Sequence, residues 1–343
     1  MSSLRPVSGP ATELLAELRW WNEQASEPEP LVVDTSGSSG EPKPVLLSRR
    51  ALRASAAATS TRLGGPGQWL LMLAPTYVAG LLVLFRSVVA ETDLVLGEDH
   101  PDLHAATAAM TEKRRYLSLV PIQLRRLLDE PASVEGLRTF STVLVGGAHL
   151  PKALRHRAAD AGVHVVATYG MSETCGGCVY DGAPLDGVGL DIRADGRLLL
   201  GGPVLFDGYD GRPELTEEVL RDGWFLTQDL ARLGEDGSLE VLGRADDVVV
   251  SGGVKVPTPA VAARLQEHLS VSAVSVVGAP DAEWGQRVVA FIVGDLRLGA
   301  ARDWVSEALP RSWAPREIRR VDELPLLENG KVDRVRLREV AGG

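Results

Sequence analysis

Five short stretches of this chain carry chemically capable residue types, the first of them suited to phosphate. Asp34-Thr35-Ser36-Gly37-Ser38-Ser39-Gly40-Glu41-Pro42-Lys43 gathers small hydroxyl residues and two glycines ahead of a lysine. Main-chain N–H and side-chain O–H groups of such a run can close around phosphate oxygens, and Lys43 adds a positive charge. The run lacks the Gly-Lys-Ser/Thr that opens a helix in the P-loop of nucleoside triphosphatases. A Ser/Gly run alone reads as a surface linker; the apolar strand before it and the Pro-Lys after it favour a built loop.

The second stretch is Ala167-Thr168-Tyr169-Gly170-Met171-Ser172-Glu173-Thr174, at the end of a strand candidate. Tyr169 offers a ring on which a base can stack, and Glu173 offers a hard oxygen for the magnesium that a triphosphate brings. In the third, Gly146-Gly147-Ala148, two glycines let a flat ligand approach the main chain. The fourth is Gly243-Arg244-Ala245-Asp246-Asp247, with Ser251-Gly252-Gly253 beyond an apolar run. The fifth is Glu328-Asn329-Gly330-Lys331-Val332-Asp333-Arg334. Seen singly, each reads equally as a turn, and Asn-Gly ordinarily marks a hairpin.

Arg86 stands inside the apolar run 78–90, where a guanidinium needs a partner or a route to water. It is either the anchor of a substrate carboxylate or half of a structural ion pair with an Asp or Glu. Cys175-Gly176-Gly177-Cys178 has no obvious further ligands at zinc spacing. These cysteines are expected to line or back a pocket, and His149 to form part of its wall.

The elements that must position these residues alternate. Helical periodicity covers residues 12–24, and Ser48 can cap a helix that runs to Arg62. Strands are expected at 31–34, 69–73, 116–120, 142–145 and 163–167, and a buried helix at 78–90. The alternation predicts an α/β domain around a largely parallel sheet, and loops at the carboxyl ends of such strands are where ligands bind. From Asp186 onward short strands, 197–200 and 239–242, alternate with Gly/Asp turns and predict a β-rich subdomain. Beyond it come helices at 258–269 and 301–309 with strands at 274–277 and 288–293, a small α+β domain. The expected division is 1–243 and 244–343.

The 343 residues are 45% hydrophobic and 24% charged, enough apolar material for a sizeable core. The net charge of −10 does not favour a nucleic-acid surface, and two cysteines argue against a disulfide scaffold. No secretory signal is expected at the N-terminus. The apolar stretch 69–90 is broken by Pro75, Thr76, Tyr77, Gly80, Arg86 and Ser87, so it is not a membrane span. The expected address is cytoplasmic.

In this order and spacing the stretches resemble the adenylate-forming acyl-CoA synthetase superfamily, from about Asp34 to Arg334. Residues 35–43 resemble its phosphate loop. Residues 169–173 match its Tyr-Gly-x-Thr-Glu motif, with Ser172 in the Thr place. Gly201-Gly202-Pro203 and Gly208-Tyr209 match a further stretch, and residues 224–229 resemble Trp-x-x-Thr-Gly-Asp. Residues 243–247 look like its hinge, and Asn329-Gly330-Lys331 like its catalytic lysine loop. Pro44 and Gln228 stand where the family has glycine, and Tyr77 where many members have histidine. The short stretch before the phosphate loop, residues 63–69 and residues 77–86 are similar to the compact o-succinylbenzoate–CoA ligases of menaquinone synthesis.

The resemblance implies a large N-terminal α/β domain and a small mobile C-terminal domain. It implies ATP, Mg2+, coenzyme A and a small carboxylic acid as ligands. Lys331 would bridge the carboxylate and the α-phosphate. Thr35, Ser36, Gly37, Ser38, Ser39, Gly40 and Lys43 would hold phosphates, and Glu173 the metal. Tyr169, with Gly170 and Ser172 beside it, and Gly146, Gly147 and Ala148 would enclose the adenine. Asp229 and Arg244 would meet the ribose. Tyr77, Gly80 and Arg86 would border the acid. Asp246 would be the pivot that brings Ser251, Gly252 and Gly253 to the pantetheine. Alternatives left open are adenylation of another aromatic acid, loading of a carrier protein, a non-catalytic nucleotide-binding homologue, and a homodimer.

Overall fold

The computed structural model describes residues 4–35, 43–325 and 332–342, with Asp246 described along its main chain only. A seven-stranded sheet has the order Val95–Leu96, Gln68–Leu71, Arg115–Leu119, Thr142–Val145, Val165–Met171, Gly176–Tyr180, Ala183–Pro184. The first five strands pair in parallel, and the last two are added through antiparallel pairings. Side chains alternate between faces along a strand. Leu70, Leu117, Val143 and Val145 therefore enter one core with Leu124, Leu128 and Leu154, while Trp69, Leu71, Tyr116 and Leu144 enter another with Leu14, Leu52 and Phe85. Burial on both faces explains why these strands read as continuous apolar runs.

The helix Val78–Ala90 is apolar nearly all round because it lies between the sheet and the helices Ala11–Asn22 and Arg49–Arg62. Ser48 does occupy the N-cap position of Arg49–Arg62, but its side chain makes no capping bond. Its hydroxyl lies 3.2 Å from Asp207 and donates there instead. The strand expected at 163–167 runs on to Met171, because Gly176–Tyr180 folds back beside it and supplies main-chain partners.

A three-stranded sheet joins Leu31–Asp34, Pro44–Leu47 and Gly208–Tyr209. A five-stranded one is built from Gly189–Ile192, Arg197–Gly201, Trp224–Leu233, Leu220–Arg221 and Leu239–Arg244. The three-ten turn Ala245–Asp247 leads from it into the last sheet, Val254–Pro257, Val248–Ser251, Gly285–Gly294, Val271–Asp281, with Glu317–Arg320 parallel to Gly285–Gly294. Its two long strands outrun the expected 274–277 and 288–293 because they pair as one hairpin from Val271↔Gly294 to Asp281↔Gly285. Val256, Val261, Leu265, Ile292 and Val305 close the core beside it. Among the described residues no helix is long and apolar enough to cross a membrane.

Candidate active site

The phosphate-loop candidate connects two antiparallel strands, and its base is tied at both ends. The Thr35 N–H donates to the Lys43 carbonyl at 3.1 Å, and the Lys43 N–H to the Thr35 hydroxyl at 3.0 Å. Ser36, Gly37, Ser38, Ser39 and Gly40 lie outside the described residues. Pro44 faces Asp34 at the next ladder position. In an antiparallel pair hydrogen-bonded and non-bonded positions alternate, so the donor that proline lacks points away from Leu31–Asp34 and no bond to that strand is lost.

Tyr169, Gly170 and Met171 end a strand of the parallel set, and Ser172–Thr174 form a three-ten turn beyond it. A Cβ on Gly170 would lie 2.0 Å from the Gly176 carbonyl oxygen, so the close approach of the two strands admits only glycine. Thr174, absent from the sequence-level site, pins the turn. Its hydroxyl oxygen accepts from the Met171 N–H at 3.0 Å and lies 2.7 Å from the Gly176 carbonyl, to which it donates. Gly146 is needed at the neighbouring strand end, where a Cβ would meet the Thr168 hydroxyl at 2.3 Å. Gly147 and Ala148 are exposed beside it.

Two tyrosine–carboxylate pairs define the site. The Tyr169 hydroxyl donates to Asp229 at 2.6 Å, and the Tyr209 hydroxyl to Glu173 at 2.8 Å. Burial first, and then the Asp229 charge, raise the Tyr169 phenol well above its usual range. Burial and the Glu173 charge raise Tyr209 likewise, so both phenols remain donors. Asp229 faces Arg244 across the strand ladder, which puts both ribose candidates at one place. Gln228 is exposed and is not among the residues with positive φ, so this position does not demand the family's glycine. The Lys43 ammonium lies 5.6 Å from the centre of the Tyr209 ring. Tyr209 was legible only as part of a Gly-Tyr family stretch.

These groups fit a magnesium–nucleotide complex by their donor chemistry. Glu173 offers carboxylate oxygen, Thr35 and Lys43 offer phosphate donors, and Asp229 accepts from hydroxyls.

Other candidates sit further out. Tyr77 is half-exposed at the N-cap of Val78–Ala90. Gly80 lies against the Ala74 carbonyl, 2.2 Å from where a Cβ would be. Arg86 is buried, but the ion pair with an Asp or Glu is not formed among the described residues. Its guanidinium donates to the hydroxyls of Thr59 at 3.1 Å and Tyr180 at 3.4 Å and lies 5.1 Å from the Trp69 ring centre. Gly252 and Gly253, both with positive φ, make the two-residue turn between Val248–Ser251 and Val254–Pro257. The Ser251 hydroxyl is buried there without a partner among the described residues. Cys175 and Cys178 are free and buried, and burial pushes the Cys178 thiol up to about 11. Lys331 and the Asp246 side chain lie outside the described residues. Next to them, Asp247 accepts from Arg334 at 2.5 Å, and Arg334 opens the helix Arg334–Gly342.

Residues 21–209 match the family of AMP-binding enzymes, and residues 260–331 the AMP-binding enzyme C-terminal domain. The chain is 45% identical over 342 residues to a probable 2-succinylbenzoate–CoA ligase of Mycobacterium tuberculosis, covering 96% of this chain and 89% of the relative. It superposes with a TM-score of 0.74 on the o-succinylbenzoate CoA synthetase (MenE) of Bacillus subtilis in complex with the acyl-adenylate intermediate OSB-AMP, at 27% identity over 90% of this chain and 68% of that one. On the same enzyme in complex with ATP and a magnesium ion the TM-score is 0.73, at 27% identity over 90% of this chain and 69% of that one. The motifs at one end of the parallel sheet, the small domain after the Ala245–Asp247 turn and these likenesses agree: the chain belongs to the AMP-binding, adenylate-forming enzyme family.

Proposed function

We propose that this protein is an ATP-dependent acid–CoA ligase that turns o-succinylbenzoate, ATP and CoA into o-succinylbenzoyl-CoA, AMP and pyrophosphate. One observation carries the reading. Lys43, Tyr169, Glu173 and Asp229 gather at the phosphate-loop end of the parallel sheet, in a chain 45% identical over 96% of its length to a probable ligase for this acid. That likeness supports a CoA ligase rather than a carrier-protein-loading domain or a non-catalytic homologue.

In the first half-reaction a carboxylate oxygen of the acid attacks the α-phosphorus of ATP. The bond to the β-phosphate breaks, and pyrophosphate leaves with an acyl-adenylate formed. Two anions must meet, so the step needs cations placed where charge develops. Lys331 bridges the carboxylate and the α-phosphate, and the loop 35–43 holds the outer phosphates. Glu173 holds magnesium, which shields phosphate charge when bound. Asp229 and Arg244 hold the ribose, and Tyr169 and residues 146–148 enclose the adenine. No strong base is needed, because the acid is already ionised at neutral pH.

In the second half-reaction residues 244–343 turn about Asp246, withdrawing Lys331 and presenting Ser251, Gly252 and Gly253 to the pantetheine. The CoA sulfur attacks the acyl carbon, the thiol proton is released, and AMP leaves. A cytoplasmic location and a homodimer belong to the same reading; sedimentation of the purified chain reports the second.

The direct test is pyrophosphate release across a panel of carboxylic acids, with CoA present and absent. Release with o-succinylbenzoate, and thioester only when CoA is added, is the expected result. Activity with fatty or benzoic acids and none with o-succinylbenzoate would overturn the substrate.

For Arg86 the contacts favour a place in the frame over an anchor for the ring carboxylate. It lies nine residues beyond Tyr77, about 13 Å along the helix at 1.5 Å per residue, and its hydroxyl and indole partners belong to neighbouring elements. Arg86→Ala is expected to cost about 1–3 kcal/mol of stability through lost packing. The variant should use o-succinylbenzoate and its analogue without the ring carboxylate in an unchanged ratio. A selective loss of o-succinylbenzoate, measured as kcat/KM for both acids, would return Arg86 to the pocket.

A further inference from the structure

One short segment, residues 206–209, reaches three parts of the nucleotide site at once. The Phe206 N–H donates to the Glu173 carbonyl at 2.9 Å, and the Tyr209 hydroxyl donates to Glu173 Oε1 at 2.8 Å. Main chain and carboxylate of the same residue are thus held from the same side. Tyr209 also pairs in the ladder with Val45, two residues beyond Lys43, and its ring lies 5.6 Å from the Lys43 ammonium. The ring itself is fixed. Phe206 meets it edge-on with centroids 5.0 Å apart, and the Tyr209 N–H donates to the Thr216 hydroxyl at 2.9 Å. Buried to 5% exposure, it has little freedom to move.

We propose that Tyr209 is a positioning residue that sets the Glu173 carboxylate and the Lys43 ammonium at a fixed separation, so that a divalent cation and nucleotide phosphates would be received by groups already in place. This rests on the adenylation reading above. The hydroxyl occupies Glu173 Oε1, and among the described residues Oε2 has no hydrogen-bond partner, so Oε2 is the oxygen presented to the cation. A carboxylate oriented by a hydrogen bond to its other oxygen binds metal better than a free rotor, because less order is lost on binding. The carboxylate meets the hydroxyl of one aromatic ring and the ammonium lies 5.6 Å from the centre of that ring, so the ring works as a spacer as well as a donor.

Tyr209→Phe keeps the ring and removes only the hydroxyl. Manganese stands in for magnesium, and its binding to enzyme saturated with α,β-methylene-ATP is followed by loss of the free-ion paramagnetic signal. The variant should bind manganese about tenfold more weakly, within the range found when an outer partner of a metal ligand is removed. The magnesium concentration for half-maximal pyrophosphate release should rise in parallel, with the rate at saturating magnesium changed far less. Nucleotide affinity in the presence of a chelator and the melting temperature of the free enzyme should stay close to wild type. In a Glu173→Gln background the same substitution should have no further effect on manganese. Unchanged manganese affinity in Tyr209→Phe, or an equal loss of metal-free nucleotide binding, would overturn the assignment. A wild type that releases no pyrophosphate with any acid would instead remove the adenylation reading beneath it.

Discussion

Replacing Lys331 with alanine should slow acyl-adenylate formation at least about a hundredfold, the scale on which one preorganised donor at a developing charge acts. Thioester formation from added acyl-adenylate should stay within a few-fold of wild type. The asymmetry follows from the proposed rotation, since Lys331 meets the α-phosphate only while the small domain is closed over the first half-reaction. The structure supplies a mechanical reason for the lysine loop to move with its domain. Arg334, three residues beyond Lys331, donates to Asp247 at 2.5 Å, to the Thr258 hydroxyl at 2.7 Å and to the Val276 carbonyl at 3.0 Å. Those partners lie in the turn after Arg244, in the helix Thr258–Gln266 and in the last sheet. Pyrophosphate release and single-turnover thioester formation measure the two steps separately. Equal losses in both would remove the rotation from the account of this loop.

Asp246→Pro should reverse the order. Proline holds φ near −65° and restricts the residue before it. That value suits the three-ten turn Ala245–Asp247, whereas the restriction on Ala245 works against the turn, so an unchanged melting temperature is the control on the fold while a large backbone rotation is opposed. Adenylation should be spared, and conversion of adenylate to thioester should fall at least about tenfold, roughly 1.4 kcal/mol in the barrier. Hinges work through a few residues that absorb large dihedral changes, and here the change must fall within the short link between the strands Leu239–Arg244 and Val248–Ser251. An unaltered thioester rate would take the pivot away from Asp246.

How far each element was legible depended on what surrounds it. The helix Val78–Ala90 and the strand Thr142–Val145 have the bounds that their apolar runs predict, because the strand is buried throughout and the helix from Gly80 to Val88. The strand Val165–Met171 was cut short in the sequence reading. Its last residues, with Tyr169 and Gly170, lie at half-buried positions, and what keeps them extended is a partner strand that local pattern does not announce. Ser48 has the chemistry of a cap and the position of one, yet its hydroxyl reaches Asp207, 159 residues away. Arg86, a charge inside an apolar run, has two hydroxyls and an indole for company where a carboxylate was expected, and its Nε is buried without a hydrogen-bond partner among the described residues.

The sequence by itself determined which chemical groups are present and in what order. A hydroxyl-rich loop ending in Lys43, a Tyr-Gly turn carrying Glu173, an aspartate two residues after Thr227 and a late Asn-Gly-Lys are local patterns, and local patterns survive reading one residue at a time. Only the tertiary structure decided the pairings. Tyr169 holds Asp229 across 60 residues, and Tyr209 holds Glu173 across 36 while standing beside Lys43. No periodicity encodes such contacts. They exist because parallel strands align their carboxyl ends, and because the short strand Gly208–Tyr209 is drawn by ladder hydrogen bonds to the strand that leaves the phosphate loop.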